Sequence, residues 1–324
     1  MIIVTGGAGF IGSAVIAQLN KEGIRDILVV DSLGGGDKWK NLRNLSFIDL
    51  IHKDRFHQLV HANEAPVARA VIHMGACSST TETNCDYLLT NNFHYTRDLA
   101  EWALKHRSRF IYASSAATYG DGALGYDDDL LVIPQLKPLN MYGYSKQLFD
   151  LWALGGGHFK EIVGLKFFNV FGPNEYHKGA MRSVVHKAFG EISETGKMRL
   201  FKSNESRFPD GGQMRDFVYV KDCTAIISWL LHNPKVNGLF NLGTGMARTW
   251  NDLAKAVFAA MGKPAQIEYI PMPPQLARQY QNFTEATMAR LIAAGCPTQF
   301  HSLENSVLDY VKNHLQGRNP YIAP

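Results

Sequence analysis

The chain has 324 residues, 46% of them apolar and 19% charged, and a formal net charge of +4. A chain of this length buries about three-quarters of the surface its unfolded form exposes, so it needs no disulfide or metal to fold. The composition excludes long disorder and low-complexity sequence, no apolar run reaches the ~18–20 residues of a membrane helix, and no block of like charge offers a nucleic-acid footprint.

The chain opens on Ile2–Val4, an apolar run entering a turn, which reads as a buried strand and not as a secretory signal. Helix Gly12–Asn20 follows, then strand Ile27–Val30, strand Val71–His73, helix Leu88–Lys105, strand Phe110–Ala113 and helix Ser145–Leu154. Two further strands are expected at Ile162–Val170 and Leu239–Leu242. Strands separated by helices of this length predict an α/β fold, a doubly wound parallel sheet. After Pro173 the apolar runs are interrupted, Glu205–Gly212 is turn-rich, and a strong element returns at Arg215–Val220, with Asp222 as the expected cap of helix Cys223–Leu231. Helix Trp250–Met261 and strand Ile267–Ile270 come next. The expected division is a nucleotide-binding domain (1–172 plus 215–245) and a smaller α/β substrate domain (173–214 plus 246–324). Cys77, Cys85, Cys223 and Cys296 form no CxxC pair and read as reduced thiols of a cytoplasmic protein.

Residues 5–12 read TGGAGFIG, between the first strand and the first helix. Gly6 permits the tight turn, Gly9 lets a pyrophosphate approach the backbone, and Gly12 lets the helix pack close to the sheet. The helix N-terminus adds free N–H groups and partial positive charge for the phosphates. Asp31 closes the second strand about 20 residues on, where an acid meets the adenosine ribose. An acid there suggests NAD; Lys38 and Lys53 offer partners for a 2′-phosphate, or are ordinary surface charges.

Tyr142 and Lys146 stand four apart and share a face if helical. An ammonium there favours tyrosinate and lowers the phenol pKa, so that Tyr142 exchanges a proton with a substrate hydroxyl while hydride moves to or from nicotinamide. Upstream, SSAATYG ends an apolar strand, which places Ser115, with Thr118 assisting, on the same substrate oxygen. His57 and His61 are four apart on an expected helix. With no HExxH and no carboxylate or cysteine at ligand spacing, they read as a solvated face, and no metal is expected.

TGGAGFIG, SSAATYG, YGYSK, FFNVFGP and RDFVYVKD occur in the order found in the extended short-chain dehydrogenase/reductase family, which includes nucleotide-sugar epimerases and dehydratases, and the chain resembles it over essentially its whole length. GACSSTTE, NNFHYTRDL, FNVFGPNEYHKGAM and Tyr280–Thr284 resemble the family's ADP-heptose 6-epimerase branch, HKGAM being the most discriminating piece. The resemblance implies a Rossmann domain, tightly bound NADP, and inversion at C6 of an ADP-linked heptose by oxidation and re-reduction, for the lipopolysaccharide inner core. It also implies a homo-oligomer, a pentamer, with an ADP-sugar as its small-molecule partner.

Residue by residue, it makes Tyr142 the base, Lys146 its partner, Ser115 the hydroxyl beside it and Lys178 a second acid/base. Cofactor contacts fall on Phe10, Ile11, Asp31, Ser32, Lys38 and Lys53. Met74, Gly75, Ala76, Cys77, Ser78, Asn91 and Val170 complete that set, beside Lys146 and Lys178. Substrate contacts fall on Asn169, Phe201, Lys202, Ser203, Asn204, Arg215 and Tyr280. Ala180 stands where a serine contact is usual and Lys187 where a histidine is usual, and the loop before Arg215 is longer than the pattern. Two other readings stand beside this one: another nucleotide-sugar epimerase or reductase on the same scaffold, and a non-catalytic NADP-binding sensor.

Overall fold

The computed structural model describes residues 1–277, 280–297 and 299–324. Strands β1 (Ile2–Thr5), β2 (Ile27–Asp31), β3 (Asp49–His52), β4 (Ala70–His73), β5 (Arg109–Ser115) and β6 (Ile162–Phe167) lie in one sheet with a later strand, β10 (Gly238–Leu242). The seven strands run in the order β10-β6-β5-β4-β1-β2-β3, every pair parallel. In β1, Ile2 and Val4 enter the core on one face and Ile3 the core on the other, all fully buried. Helices cover both faces, so the strands read as continuous apolar runs without alternation.

On one face lie α1 (Phe10–Lys21), through Val15, Ile16 and Leu19, and a later helix, Val220–His232, through Ile226, Ile227 and Leu230. On the other lie α2 (Lys53–His61), α3 (Tyr95–Lys105) and α4 (Met141–Gly155), anchored by Phe56, Leu99, Trp102 and Phe149. A third core gathers around α5 (Val184–Thr195), Trp250–Met261 and Leu303–Asp309. Beside it sit two small sheets. One pairs β8 (Met198–Phe201) with β12 (Ile267–Ile270); the other orders β11 (Ala247–Thr249), β9 (Met214–Tyr219) and β7 (Asn169–Phe171). Of the segment 215–245, β10 lies in the large sheet and β9 in the three-stranded one.

Several elements differ from the sequence expectation. The run Ile162–Val170 is two strands: Phe168 N–H donates to the Leu242 carbonyl (3.1 Å), and the chain then crosses to pair with β9. Helix α4 starts at Met141, earlier than expected, because the Asn140 side chain caps it by accepting from Gly143 N–H (2.8 Å). Asp222 does not cap its helix, which starts at Val220; its carboxylate accepts from His301 N–H (3.1 Å). The stretch expected as one helix over Leu88–Lys105 contains a π-helical segment, Leu89–His94.

The strand order reverses between β1 and β4, so their carboxyl ends open a crevice, the position at which such sheets bind ligands. A buried chain of hydrogen bonds braces its glycine turn from behind. Ser13 Oγ donates to the Gly9 carbonyl (2.6 Å), Asn174 Nδ2 donates to Ser13 Oγ (2.9 Å), and Ile322 N–H donates to Asn174 Oδ1 (3.0 Å). Asn174 holds a positive φ of 76°, which asparagine tolerates better than most residues. Among the described residues no helix is long and apolar enough to cross a membrane.

Candidate active site

A cavity of about 540 Å³ occupies the crevice, within the size range of small-molecule and cofactor sites. Gly6, Gly9 and Gly12 form one wall. Gly6 takes φ 64°, and a Cβ there would lie 2.6 Å from Gly75 Cα, so the turns after β1 and β4 approach this closely because Gly6 lacks a side chain. A Cβ on Gly12 would lie 2.1 Å from the Gly6 carbonyl oxygen. Gly9 precedes α1 and gives it no side-chain cap, while Phe10, Ile11 and Gly12 line the cavity. The first-turn N–H groups are therefore free for an anion. This cradle fits the pyrophosphate of a dinucleotide.

At the end of β2 the Asp31 carboxylate is already occupied. One oxygen accepts from Ala8 N–H (2.8 Å); the other accepts from Ser32 N–H (2.6 Å) and from the Lys38 ammonium. Lys53, first residue of α2, donates to Asn91 Oδ1 (3.0 Å). Asn91 and Asn92 lie in the π-helical segment; Asn91 lines the cavity and Asn92 is fully buried. Asn92 bridges Cys77, through its N–H (2.8 Å) and carbonyl (2.9 Å), to Ser145 Oγ (3.0 Å) on α4. That clamp joins the loop after β4 to the helix that carries Tyr142.

Tyr142 and Lys146 line the opposite end of the cavity, on one face of α4. Burial pushes the Tyr142 phenol above its ordinary pKa, and a hydrogen bond with Ser115 works against that shift. The direction is opposite to the sequence expectation. Lys146 Nζ donates to the Ala113 carbonyl (2.8 Å), and its own pKa is pushed down to about 8 by burial, with Asp150 pulling the other way.

Behind Lys146 lies a network that sequence reading missed. Asp150, one helical turn on, accepts from Tyr112 OH (2.7 Å), Ser114 Oγ (2.8 Å) and Lys166 Nζ (2.9 Å). Lys166 and Asp150 are 1% and 0% exposed. Lys166 also donates to Thr118 Oγ1 (2.5 Å), which itself donates to the Ser115 carbonyl (2.8 Å). Thr118 is thus wired inward and is not a cavity group. The available signal was a lysine inside the apolar strand IVGLKF.

Lys178 projects from Tyr176–Met181 into the same cavity, with Nζ 5.5 Å from the centre of the Phe10 ring. Burial lowers its pKa; Glu175 opposes the shift and Lys187 adds to it. His177 and Met181 line the cavity too and were not foreseen. Every expected cofactor residue lines it except Val170; Ser115, at the end of β5, is not among the lining residues and its Oγ accepts from Ala117 N–H (3.1 Å).

The expected substrate residues lie outside that cavity. Arg215 is buried, its guanidinium 5.0 Å from the Tyr280 ring centre and 5.7 Å from that of Trp250, whose indole N–H donates to Tyr280 OH (2.8 Å). None of the ion pairs among the described residues involves Arg215. Phe201 ends β8, and the loop beyond it is pinned by Ser203 N–H donating to Asp210 Oδ1 (2.8 Å). Asn204 donates to the Ala277 carbonyl (3.3 Å), and the Lys202 carbonyl accepts from Gln213 (3.3 Å). Asn169 opens β7, and Ala180 and Lys187 are exposed.

The family model of the NAD dependent epimerase/dehydratase family matches residues 2–243. The chain is 57% identical to an ADP-L-glycero-D-manno-heptose-6-epimerase of Nitratidesulfovibrio vulgaris, over 99% of this chain and 100% of that protein. It is 48% identical to the enzyme of the same name from Fusobacterium nucleatum, over 99% and 100% of the two chains. The crystal structure of Helicobacter pylori ADP-L-glycero-D-manno-heptose-6-epimerase superposes with a TM-score of 0.79 at 26% identity, covering 96% of this chain and 94% of that one.

Proposed function

Because the chain belongs to the NAD dependent epimerase/dehydratase family, we propose that it inverts C6 of ADP-D-glycero-D-manno-heptose to give ADP-L-glycero-D-manno-heptose, a precursor of the lipopolysaccharide inner core. The observation that carries this reading is the convergence of the glycine turn, Tyr142, Lys146 and Lys178 on one cavity, in a chain similar end to end to enzymes of that name.

When bound, the nicotinamide dinucleotide supplies a hydride acceptor at C6 and then the same hydride back. The residues have two tasks. The glycine turn and the start of α1 hold the pyrophosphate. Tyr142 moves a proton at the C6 oxygen, with Ser115 orienting that oxygen and the Lys146 ammonium stabilising the tyrosinate. To return hydride to the opposite face, the ketone intermediate must present its other face, which moves the oxygen. One donor with a reach of about 2.6 to 3.2 Å does not serve both positions, so Tyr142 serves one epimer and Lys178 the other. Arg215, stacked on Tyr280 and Trp250, suits the ADP diphosphate.

The engagement of both Asp31 oxygens, with Lys38 and Lys53 alongside, supports NADP over NAD. The chain works as a cytoplasmic homo-oligomer, a pentamer, which sedimentation of the purified protein tests.

The decisive experiment incubates purified protein with ADP-D-glycero-D-manno-heptose and no added cofactor, following C6 by NMR of the sugar. Inversion is expected; bound cofactor without inversion would move the assignment to another nucleotide sugar. Tyr142→Phe and Lys178→Met are each expected to lose about 100- to 10,000-fold in net epimerisation. Normal half-reactions with 6-aldehyde analogues in both variants would refute the two-base assignment.

A further inference from the structure

Away from the cavity, on the outer face of α2 and α3, three ligating atoms converge. His57 Nε2 lies 3.0 Å and His61 Nε2 3.2 Å from the same oxygen, Asp98 Oδ2. The two imidazole rings are 4.3 Å apart, one turn from each other on α2. The sequence spacing left these histidines without a third ligand; the packing of α3 against α2 supplies it. We propose that His57, His61 and Asp98 form a zinc site that staples α2 to α3.

Zinc bonds to nitrogen and oxygen run about 2.0–2.2 Å, which sets tetrahedral ligand atoms roughly 3.3–3.5 Å apart. The two nitrogen–oxygen separations are a few tenths shorter and all three ligand atoms lie within 4.8 Å of one another, so side-chain adjustment alone can close the set around an ion. Two imidazoles and a carboxylate form a ligand set suited to zinc and its neighbours. The surroundings are prepared for it. Asp98 is 13% exposed, and its other oxygen is held by the Arg97 guanidinium (3.1 Å), which orients the carboxylate and leaves Oδ2 to the histidines. His57 is packed on the Tyr95 ring, centres 4.6 Å apart. A cleft of about 230 Å³ bordered by His61, Asp98 and Glu101 gives an ion access and leaves room for water or Glu101 as a fourth ligand. Among the described residues this is the one group of three or more such side chains within ligating range. The staple bears on the cofactor end because α2 begins at Lys53, whose ammonium holds Asn91.

The test uses the full chain without a polyhistidine tag, its cofactor retained and loose metal removed by chelator. Equilibrium dialysis against zinc sulfate at neutral pH is expected to give one zinc per chain and a raised thermal midpoint. Cobalt(II) in its place is expected to show the intense visible bands of a tetrahedral site. His57→Ala and His61→Ala are each expected to lose the bound equivalent, the bands and the thermal shift. His61 is 59% exposed, so His61→Gln, checked by circular dichroism and by unchanged turnover, separates loss of metal from loss of fold. The absence of a saturable equivalent would overturn the proposal, leaving a hydrogen-bonded cluster only. Retention of the equivalent in His61→Gln and His61→Ala would overturn it as well.

Discussion

Lys166→Met tests whether the buried network behind α4 stabilises the fold and tunes Lys146. In the wild type the Lys166 ammonium lies 2.9 Å from Asp150, and neither side chain meets solvent. Removing the cation leaves a buried carboxylate with only the hydroxyls of Tyr112 and Ser114 as close donors. Breaking such a pair costs about 3–5 kcal/mol, because the remaining charge is uncompensated. With a urea m-value of about 3 kcal/mol/M, the unfolding midpoint falls by about 1 to 1.7 M. Adding Asp150→Asn removes the stranded charge, keeps an acceptor for one hydroxyl and donates from its amide to the other, so the double variant is expected to recover about 1–2 kcal/mol. The pH–rate profile carries a second signature. Asp150 raises the pKa of Lys146 against the burial that lowers it. Without Lys166 that pull strengthens, and the alkaline limb of activity moves to higher pH; in the double variant it moves below the wild-type position. Equilibrium urea unfolding and a pH–rate series are the two assays. A cost under about 1 kcal/mol for Lys166→Met, or a double variant no more stable than the single one, would refute the reasoning.

Lys38→Ala is expected to weaken NADP by about 10- to 100-fold, the worth of one charge-assisted hydrogen bond, while NAD binding holds or improves as the Asp31 carboxylate is released; equal loss of both in a titration removes Lys38 from cofactor selection. Gly12→Ala drives a methyl to 2.1 Å from the Gly6 carbonyl oxygen, so the purified variant should carry little or no cofactor by absorbance. His73 is held neutral by burial, its pKa pushed down from 6.5 to about 3. Between those values the unfolded chain binds a proton that the folded chain does not, so stability falls as pH drops through that window. A His73→Asn variant should show a flatter urea midpoint against pH than the wild type does.

The sequence made the parallel sheet and the glycine turn legible because both rest on local signals. The apolar runs of β1, β2, β4 and β5 and the glycines at 6, 9 and 12 state their roles within a few residues. The strand Asp49–His52 was not legible, since its end residues are exposed and its burial follows neither of the patterns a strand usually shows. The break at Phe168 depends on pairing with β9, dozens of residues downstream, so nothing local marks it. The same holds for the site. The spacing of Tyr142 and Lys146 set them on one helix face, but the phenol's upward shift comes from burial by distant segments. Asp98 and the histidines of α2 meet only through the packing of two helices, which residue spacing does not report.

The brace behind the glycine turn gives the molecule an order in time. Ser13 is made near the start of synthesis, Asn174 near the middle, and Ile322 long after both, yet the three side-chain and backbone groups form one hydrogen-bonded line. At about 5–20 residues per second, the interval between making Ser13 and making Ile322 is on the order of 15 to 60 seconds. During that interval a nascent chain can assemble β1 and α1 but lacks the partners that fix Gly9 from behind. The glycine turn is thus among the first segments to leave the ribosome and among the last to reach its finished hydrogen bonding.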